Sequence, residues 1–254
     1  MIEFCAAYDA IELWIDPGPN AQLNLICLLD YVRAHEGLAA KMKFVQADFV
    51  IDGREPEGLA RWQPPRVNIA NHHLDVAVTA WRAYRAPTPH AWFNLLQMDL
   101  SSLPRLAPAV AQLLEELPLR ATGLSATEMW MLGFISNCGV NPSDIFTSLM
   151  QREERGAFYY WEIGELLDGL AHCPAPAVAG LDEGPFTMEL HDDRERHRRY
   201  TQSKLSLTAL GKAIAAQTED FSRHNPIHRW WGGTELTNDR LWRWDATGKT
   251  LIAP

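Results

Sequence analysis

The sequence predicts an α/β N-terminal domain, a small parallel sheet with helices, followed by a mainly α, winged-helix-like C-terminal domain. Three observations carry this. Strand-like and helix-like patterns alternate through the first third of the chain. Beyond residue 124, three helical segments precede two strand-like ones and a last short helix. Finally, four of the ten tryptophans fall in Arg229-Trp230-Trp231-Gly232-Gly233 and Leu241-Trp242-Arg243-Trp244-Asp245, an aromatic–cation cluster that packs a defined surface. The domains are placed at 1–124 and 125–254.

Ile11–Ile15 is a short apolar run stopped by Asp16-Pro17-Gly18-Pro19-Asn20, a strong turn signal. Leu25, Leu28, Leu29 and Val32 have the spacing of one helical face. Lys43–Ile51 reads as a second strand and Arg66–Ala70 as a third, running into a helix capped by Asn71 with Leu74, Val78 and Trp81 inward. Helices follow after Thr88-Pro89 and from Pro104 to Leu117. In the second half Ser125 and Glu128 form a capping box opening a helix through Asn137. Asn141-Pro142 starts another helix, and a third runs from Ala157 to His172. Val178–Leu190 and Tyr200–Leu207 are expected as strands around a charged loop, Thr208 caps a short helix, and the tryptophan block closes as a hairpin turning at Thr237-Asn238-Asp239.

Charge narrows the function classes. Residues 1–124 hold 10 basic and 14 acidic side chains, residues 125–254 hold 13 and 18, and the whole chain carries −9. Neither half offers the positive field of a nucleic-acid binder, which leaves only a local basic patch. Cys5, Cys27, Cys138 and Cys173 lack metal-type spacing and read as free thiols. No apolar run is long enough to span a bilayer. A cytoplasmic protein with no metal and no cofactor is expected.

Scattered patches resemble a bacterial family known only as domain of unknown function number eighteen thirty-five. They are Leu13-Trp14-Ile15 with Gln22-Leu23 and Leu28-Leu29, Ala80–Tyr84, Glu116-Leu117-Pro118, and Gly123-Leu124-Ser125 with Glu128. Leu207-Thr208 with Gly211, Arg229-Trp230 with Gly232-Gly233, and Trp242-Arg243-Trp244-Asp245, the most specific, complete the set. The resemblance spans about residues 11–245 and implies a bacterial origin and a shared architecture. It also implies a longer N-terminal segment than this chain carries. Where the family has an acidic, histidine-containing stretch, this chain has Asp16-Pro17-Gly18-Pro19, so Asp16 alone would remain of any family site there.

Candidate sites follow from position. The loop after Ile15 leads into a helix N-terminus, where α/β folds bind anions, yet it lacks a P-loop lysine and its prolines remove backbone donors. An enzyme site at the strand ends would draw on Asp16, Asp48, Asp52 and His72. His72 and His73 diverge by about 100° on a helix, so they do not share a metal. His172-Cys173 is adjacent in sequence only, and Pro174 with Pro176 mark a helix end. A DNA-reading third helix is disfavoured by Glu162, Glu165 and Asp168 in a segment without lysine or arginine. Phosphate contact would instead fall to a wing carrying Arg196, Arg198 and Arg199, although His191–Lys204 totals only +2. Trp242 and Trp244 share one strand face, with Arg243 or Arg229 stacked nearby or paired to Asp245. Arg229, Trp230, Arg243 and Trp244 are the alternative partner-binding set. The leading expectation is a binding or regulatory module that docks a protein or self-associates, the alternatives being a small-molecule enzyme and weak nucleic-acid contact.

Overall fold

The computed structural model describes residues 5, 7–51, 54–137, 139–150 and 157–254. Contacts group them into two units. The first is built from residues between Met1 and Leu113 together with Gly232–Thr234, and the second from Leu114 onward without that tripeptide.

In the first unit β1 (Ile11–Ile15) and β2 (Met42–Gln46) run parallel, with Ile11 opposite Met42 and Ile15 opposite Gln46. The crossover is α1 (Pro19–Val32) followed by α2 (Glu36–Ala39). β3 (Val67–Asn68) pairs antiparallel with β2, so the order β1-β2-β3 makes a mixed sheet rather than the expected parallel one. A parallel return needs a long crossover to the opposite end of the sheet. Between β2 and β3 the one described helix is the short α3 (Pro56–Arg61), and β3 comes back alongside in reverse. The second strand is also shorter than predicted, ending at Gln46.

α1 buries Gln22, Leu25, Ile26, Leu29 and Val32, a stripe at three- and four-residue spacing. It packs against Leu74, Ala77 and Val78 of α4 (Asn71–Tyr84). Each fully buried Leu, Ile or Val contributes about 1.5–3 kcal/mol, enough to fix this pair of helices on the sheet. α5 (His90–Asn94) and α6 (Leu106–Glu115) follow, and the buried Trp92 donates its indole N–H to the Val110 carbonyl at 3.2 Å.

The second unit begins with α7 (Ala126–Ser136), α8 (Pro142–Met150) and α9 (Tyr160–Ala171). The predicted capping box is present: the Glu128 amide donates to Ser125 Oγ, and the Ser125 amide to Glu128 Oε2 at 2.8 Å. Asn141 and Asp144 exchange equivalent bonds at the start of α8. The two long strands expected next are absent. β4 (Val178–Ala179) and β5 (Ser206–Leu207) are two-residue antiparallel partners, and the charged segment between them is helical, α10 (Met188–Asp192) and α11 (Arg194–Gln202). Local caps explain it. Thr187 Oγ1 accepts the Leu190 amide and Asp193 Oδ1 accepts the amides of Glu195 and Arg196, which satisfies donors that a strand would have left open. α12 (Ala209–Ala215) is capped by Thr208 as predicted.

The C-terminal strands form two hairpins. β6 (His228–Trp231) pairs with β7 (Thr234–Thr237), and β8 (Arg243–Asp245) with β9 (Thr250–Ile252). The strand pair therefore turns at Gly232-Gly233; the expected turn at Thr237–Asp239 also forms, closed by the Arg240 amide on the Thr237 carbonyl at 3.0 Å, but as a single bridge without an extended pairing. Both glycines are required by close approach within the first unit. Gly232 has φ +54°, and a Cβ on Gly233 would stand 2.1 Å from the Arg85 carbonyl oxygen while its amide donates to the Tyr84 carbonyl at 2.9 Å. Gly233→Ala should therefore lower the urea midpoint by the equivalent of about 1–3 kcal/mol. Gly37→Ala, with nothing within 4 Å of the new methyl, should not lower it.

Candidate functional site

At the strand ends of the first unit the predicted acids are already engaged. Asp16 Oδ1 accepts the Ile51 amide at 2.8 Å, and its carbonyl receives the side-chain amide of the buried Gln22 at 2.9 Å. Gln46 Nε2 donates to the carbonyls of Ile15 and Ala47, and Gln46 Oε1 accepts Gln22 Nε2 at 3.1 Å. Two glutamine amides thus fill the position where an open α/β sheet binds its ligand. Asp48 is exposed and paired with Arg105 at 2.5 Å. Asp52 lies outside the described residues. His72 is exposed, its ring 3.9 Å from that of His73, whose Nδ1 accepts the Ala70 amide. Burial, then the neighbouring His72, lowers the His73 pKa, so the ring is held neutral as a cap acceptor. Among the described residues no contact joins His72 to Asp16 or Asp48.

The C-terminal arginines are internal clamps. Arg229 binds Glu128 at 2.9 Å, and the adjacent Glu116 accepts Thr127 Oγ1 at 2.6 Å. Burial holds the Glu116 carboxyl above its ordinary range. Arg243 pairs with Asp220 at 2.8 Å, not with Asp245, which binds Arg120 instead. Trp244 is buried, while Trp230 on the outer face of β6 is 63 % exposed. Of the four residues predicted to bind a partner, Trp230 alone is available. The three arginines of the predicted wing lie on α11. Arg196 and Arg199 converge on Glu183 at 3.2 and 2.7 Å, and Arg199 also binds Glu195. Only Arg198 points outward without such a partner.

The densest chemistry lies on α9. Tyr160, Gly164, Asp168 and His172 repeat every four residues and share one helical face. Phe186 is pressed onto Gly164, where a Cβ would stand 2.0 Å from its ring, and its ring also meets Tyr160, Phe146, Trp161 and Tyr200 at 5.0–5.4 Å. The Phe186 amide donates to Asp168 Oδ2 and the Tyr200 hydroxyl to Asp168 Oδ1 at 3.3 Å. Burial raises the pKa of Asp168, opposed by the Phe186 amide. Burial, then the Asp168 charge, raises that of Tyr200, which stays a protonated donor.

His172 places Nδ1 3.5 Å from Asp168 Oδ1 and Nε2 2.9 Å from the Leu181 carbonyl. A carbonyl only accepts, so Nε2 carries the proton. Nε2 is thereby committed, and this bond, together with the Phe186 amide on Asp168, fastens Leu181–Phe186 to α9; Nδ1 pairs with the Asp168 carboxylate only when it too is protonated. At the opposite end of α9, the Tyr160 hydroxyl meets His197 Nε2 at 3.0 Å, and the His197 and His191 rings are 4.9 Å apart. Burial, then His191, lowers the His197 pKa, while burial raises that of Tyr160, so a neutral phenol meets a neutral imidazole.

On the outer side of this cluster, Tyr159, Trp161 and Met188 are exposed. Trp161 meets His191 edge to face at 5.3 Å, and Met188 lies one helical turn from His191 on α10. Sequence reasoning assigned this helix to packing and missed its network; the repeat of Tyr160, Gly164, Asp168 and His172 was the signal. Among the described residues no group of three or more His, Cys, Asp or Glu is placed to hold a metal ion. No family model, curated protein or solved structure matches the chain.

Two outcomes follow. Asp168→Ala leaves the buried Phe186 amide without its acceptor and should cost about 1–3 kcal/mol, read from chemical denaturation. The second concerns acid. His197 and His73 have folded pKa values below the ordinary 6.5, so the unfolded chain takes up protons first as pH falls. Their stabilising effect is complete above that value and is lost as pH drops through the folded values. Asp168 acts with the opposite sign and only nearer the carboxylate range. Between about pH 7.5 and pH 5.5, His197→Gln should therefore lose less melting temperature than the parent chain.

Proposed function

We propose that the chain is a cytoplasmic binding module that docks another protein through its second unit. The observation that carries this is that Trp161 and Met188, two large exposed apolar side chains, both neighbour His191 on the rim of one ordered cluster, with Tyr159 exposed at the start of the same helix. An exposed apolar group rimmed by polar residues marks interaction surfaces, and aromatic and methionine side chains are enriched there. Three helices, the β4–β5 pair and α12 follow the element order of a winged helix in which α10 and α11 replace the wing tip. On that reading α9 is the recognition helix, and its outward positions carry Trp161, Glu162 and Glu165. Carboxylates there oppose nucleic acid, and Glu183 neutralises two of the three arginines offered for phosphate contact. Against a small-molecule enzyme at the strand ends stand the Gln22–Gln46 bridge and the separate engagements of Asp16 and Asp48. Free, half-buried Cys27 and Cys173 suit a reducing compartment. No helix among the described residues is long and apolar enough to cross a membrane.

Native mass spectrometry on the gently isolated protein is the test. The parent should carry a stoichiometric protein partner that Trp161→Ala/Met188→Ala loses, while Trp14→Ala/Tyr31→Ala, which removes exposed rings of the first unit, retains it. A partner kept by the first double variant, or a bound small molecule in place of a protein, would overturn the proposal.

A further inference from the structure

We infer that the partner presents a basic amphipathic segment, with Lys or Arg side chains flanking an apolar anchor. This rests on the docking surface proposed above and names its occupant. The two elements that supply the surface, α9 and α10, contain no lysine or arginine. Their outward positions beside Trp161 and Met188 are Glu162, Glu165, Glu189 and Asp192, all exposed. The cations of the following helix are partly withdrawn, since Arg196 and Arg199 are held by Glu183, which leaves Arg194 and Arg198 outward. Exposed carboxylates on the two helices that bear Trp161 and Met188 attract cations and penalise an acidic partner. The Trp161 ring adds a face on which a lysine or arginine can stack. The same carboxylates argue against face-to-face self-association, because two copies would oppose like charges across the contact.

The test uses the full chain and two labelled synthetic probes, an amphipathic Lys–Leu helical peptide and its Glu–Leu counterpart, followed by fluorescence anisotropy. The Lys–Leu peptide should bind the parent, more weakly as salt rises, and the Glu–Leu peptide should not. Glu162→Gln/Glu165→Gln should weaken Lys–Leu binding about five- to tenfold, since each exposed pair is worth up to about 1 kcal/mol. Glu36→Gln/Glu57→Gln, an exposed acidic pair in the first unit, should change it less than about twofold on the same scale. Equal loss in both pairs would mean unspecific attraction to an acidic chain and would overturn the inference, as would binding of the Glu–Leu peptide. Loss in Trp161→Ala with no effect of Glu162→Gln/Glu165→Gln would overturn the cationic partner yet leave the docking surface standing. Insensitivity to all three variants would remove both. Concentration-dependent dimers of the parent that Trp161→Ala abolishes would assign the face to a second copy instead.

Discussion

One carboxylate holds the second unit's distinctive part together. Asp168 projects from the middle of α9 and receives donors from two other segments, the Phe186 amide before α10 and the Tyr200 hydroxyl on α11. His172, one turn along, reaches the Leu181 carbonyl at the other end of the same turn. Glu183, inside that turn, grips Arg196 and Arg199. The segment between β4 and β5 has only two-residue strands to anchor it, far too little for independent stability. Its order comes from this polar frame and from Phe186 seated on Gly164. A buried carboxylate is costly unless its oxygens are satisfied, which is why the frame needs every one of these donors at once.

The same frame fixes what the surface offers. With Tyr160 bonded to His197 and the rings of Tyr160 and Trp161 both against Phe186, the start of the helix leaves Tyr159 and part of Trp161 exposed. Several titratable groups here are bonded to one another, Tyr160 to His197 and Asp168 to the Tyr200 hydroxyl, and these bonds position the aromatic side chains. The first unit is similar. Its parallel strands β1 and β2 end side by side, and the side chains that reach those ends are glutamine amides turned onto backbone carbonyls. Fold alone does not confer a site.

Much of the scaffold was legible from local chemistry. The Ser125–Glu128 box, the Asn141-Pro142 start, the Thr208 cap and the α1 stripe each rest on interactions within a few residues, and each is present. Most of what failed depended on distant partners. β3 runs antiparallel because of the path between β2 and β3, which no residue pattern encodes. The segment around Arg194–Arg199 was misread because alternating charge hid two caps, Thr187 and Asp193, that a search for helix starts would have found. Arg243 was assigned to Asp245, its neighbour on the strand, although neighbouring residues point to opposite faces; Asp220 was invisible at that separation. The site itself was partly legible, since the spacing of Tyr160, Gly164, Asp168 and His172 gives the shared face, while Phe186 and Tyr200 come from elsewhere.

Charge placement separates the structural carboxylates from those left for recognition. Glu116, Glu128, Asp168 and Asp220 are all largely withdrawn from solvent, and each has a donor or an arginine within reach. Glu162 and Glu165 face water on the helix that also bears Trp161. Glu162 has a local duty, accepting the Tyr159 amide at 2.7 Å, which pins the N-terminus of α9 and with it the backbone of Tyr159. The carboxylate that gives the surface its sign therefore also orders one of its apolar anchors. A rim charge that is pre-positioned in this way loses little freedom when a cation arrives, and that economy favours recognition by a basic segment over a diffuse electrostatic encounter.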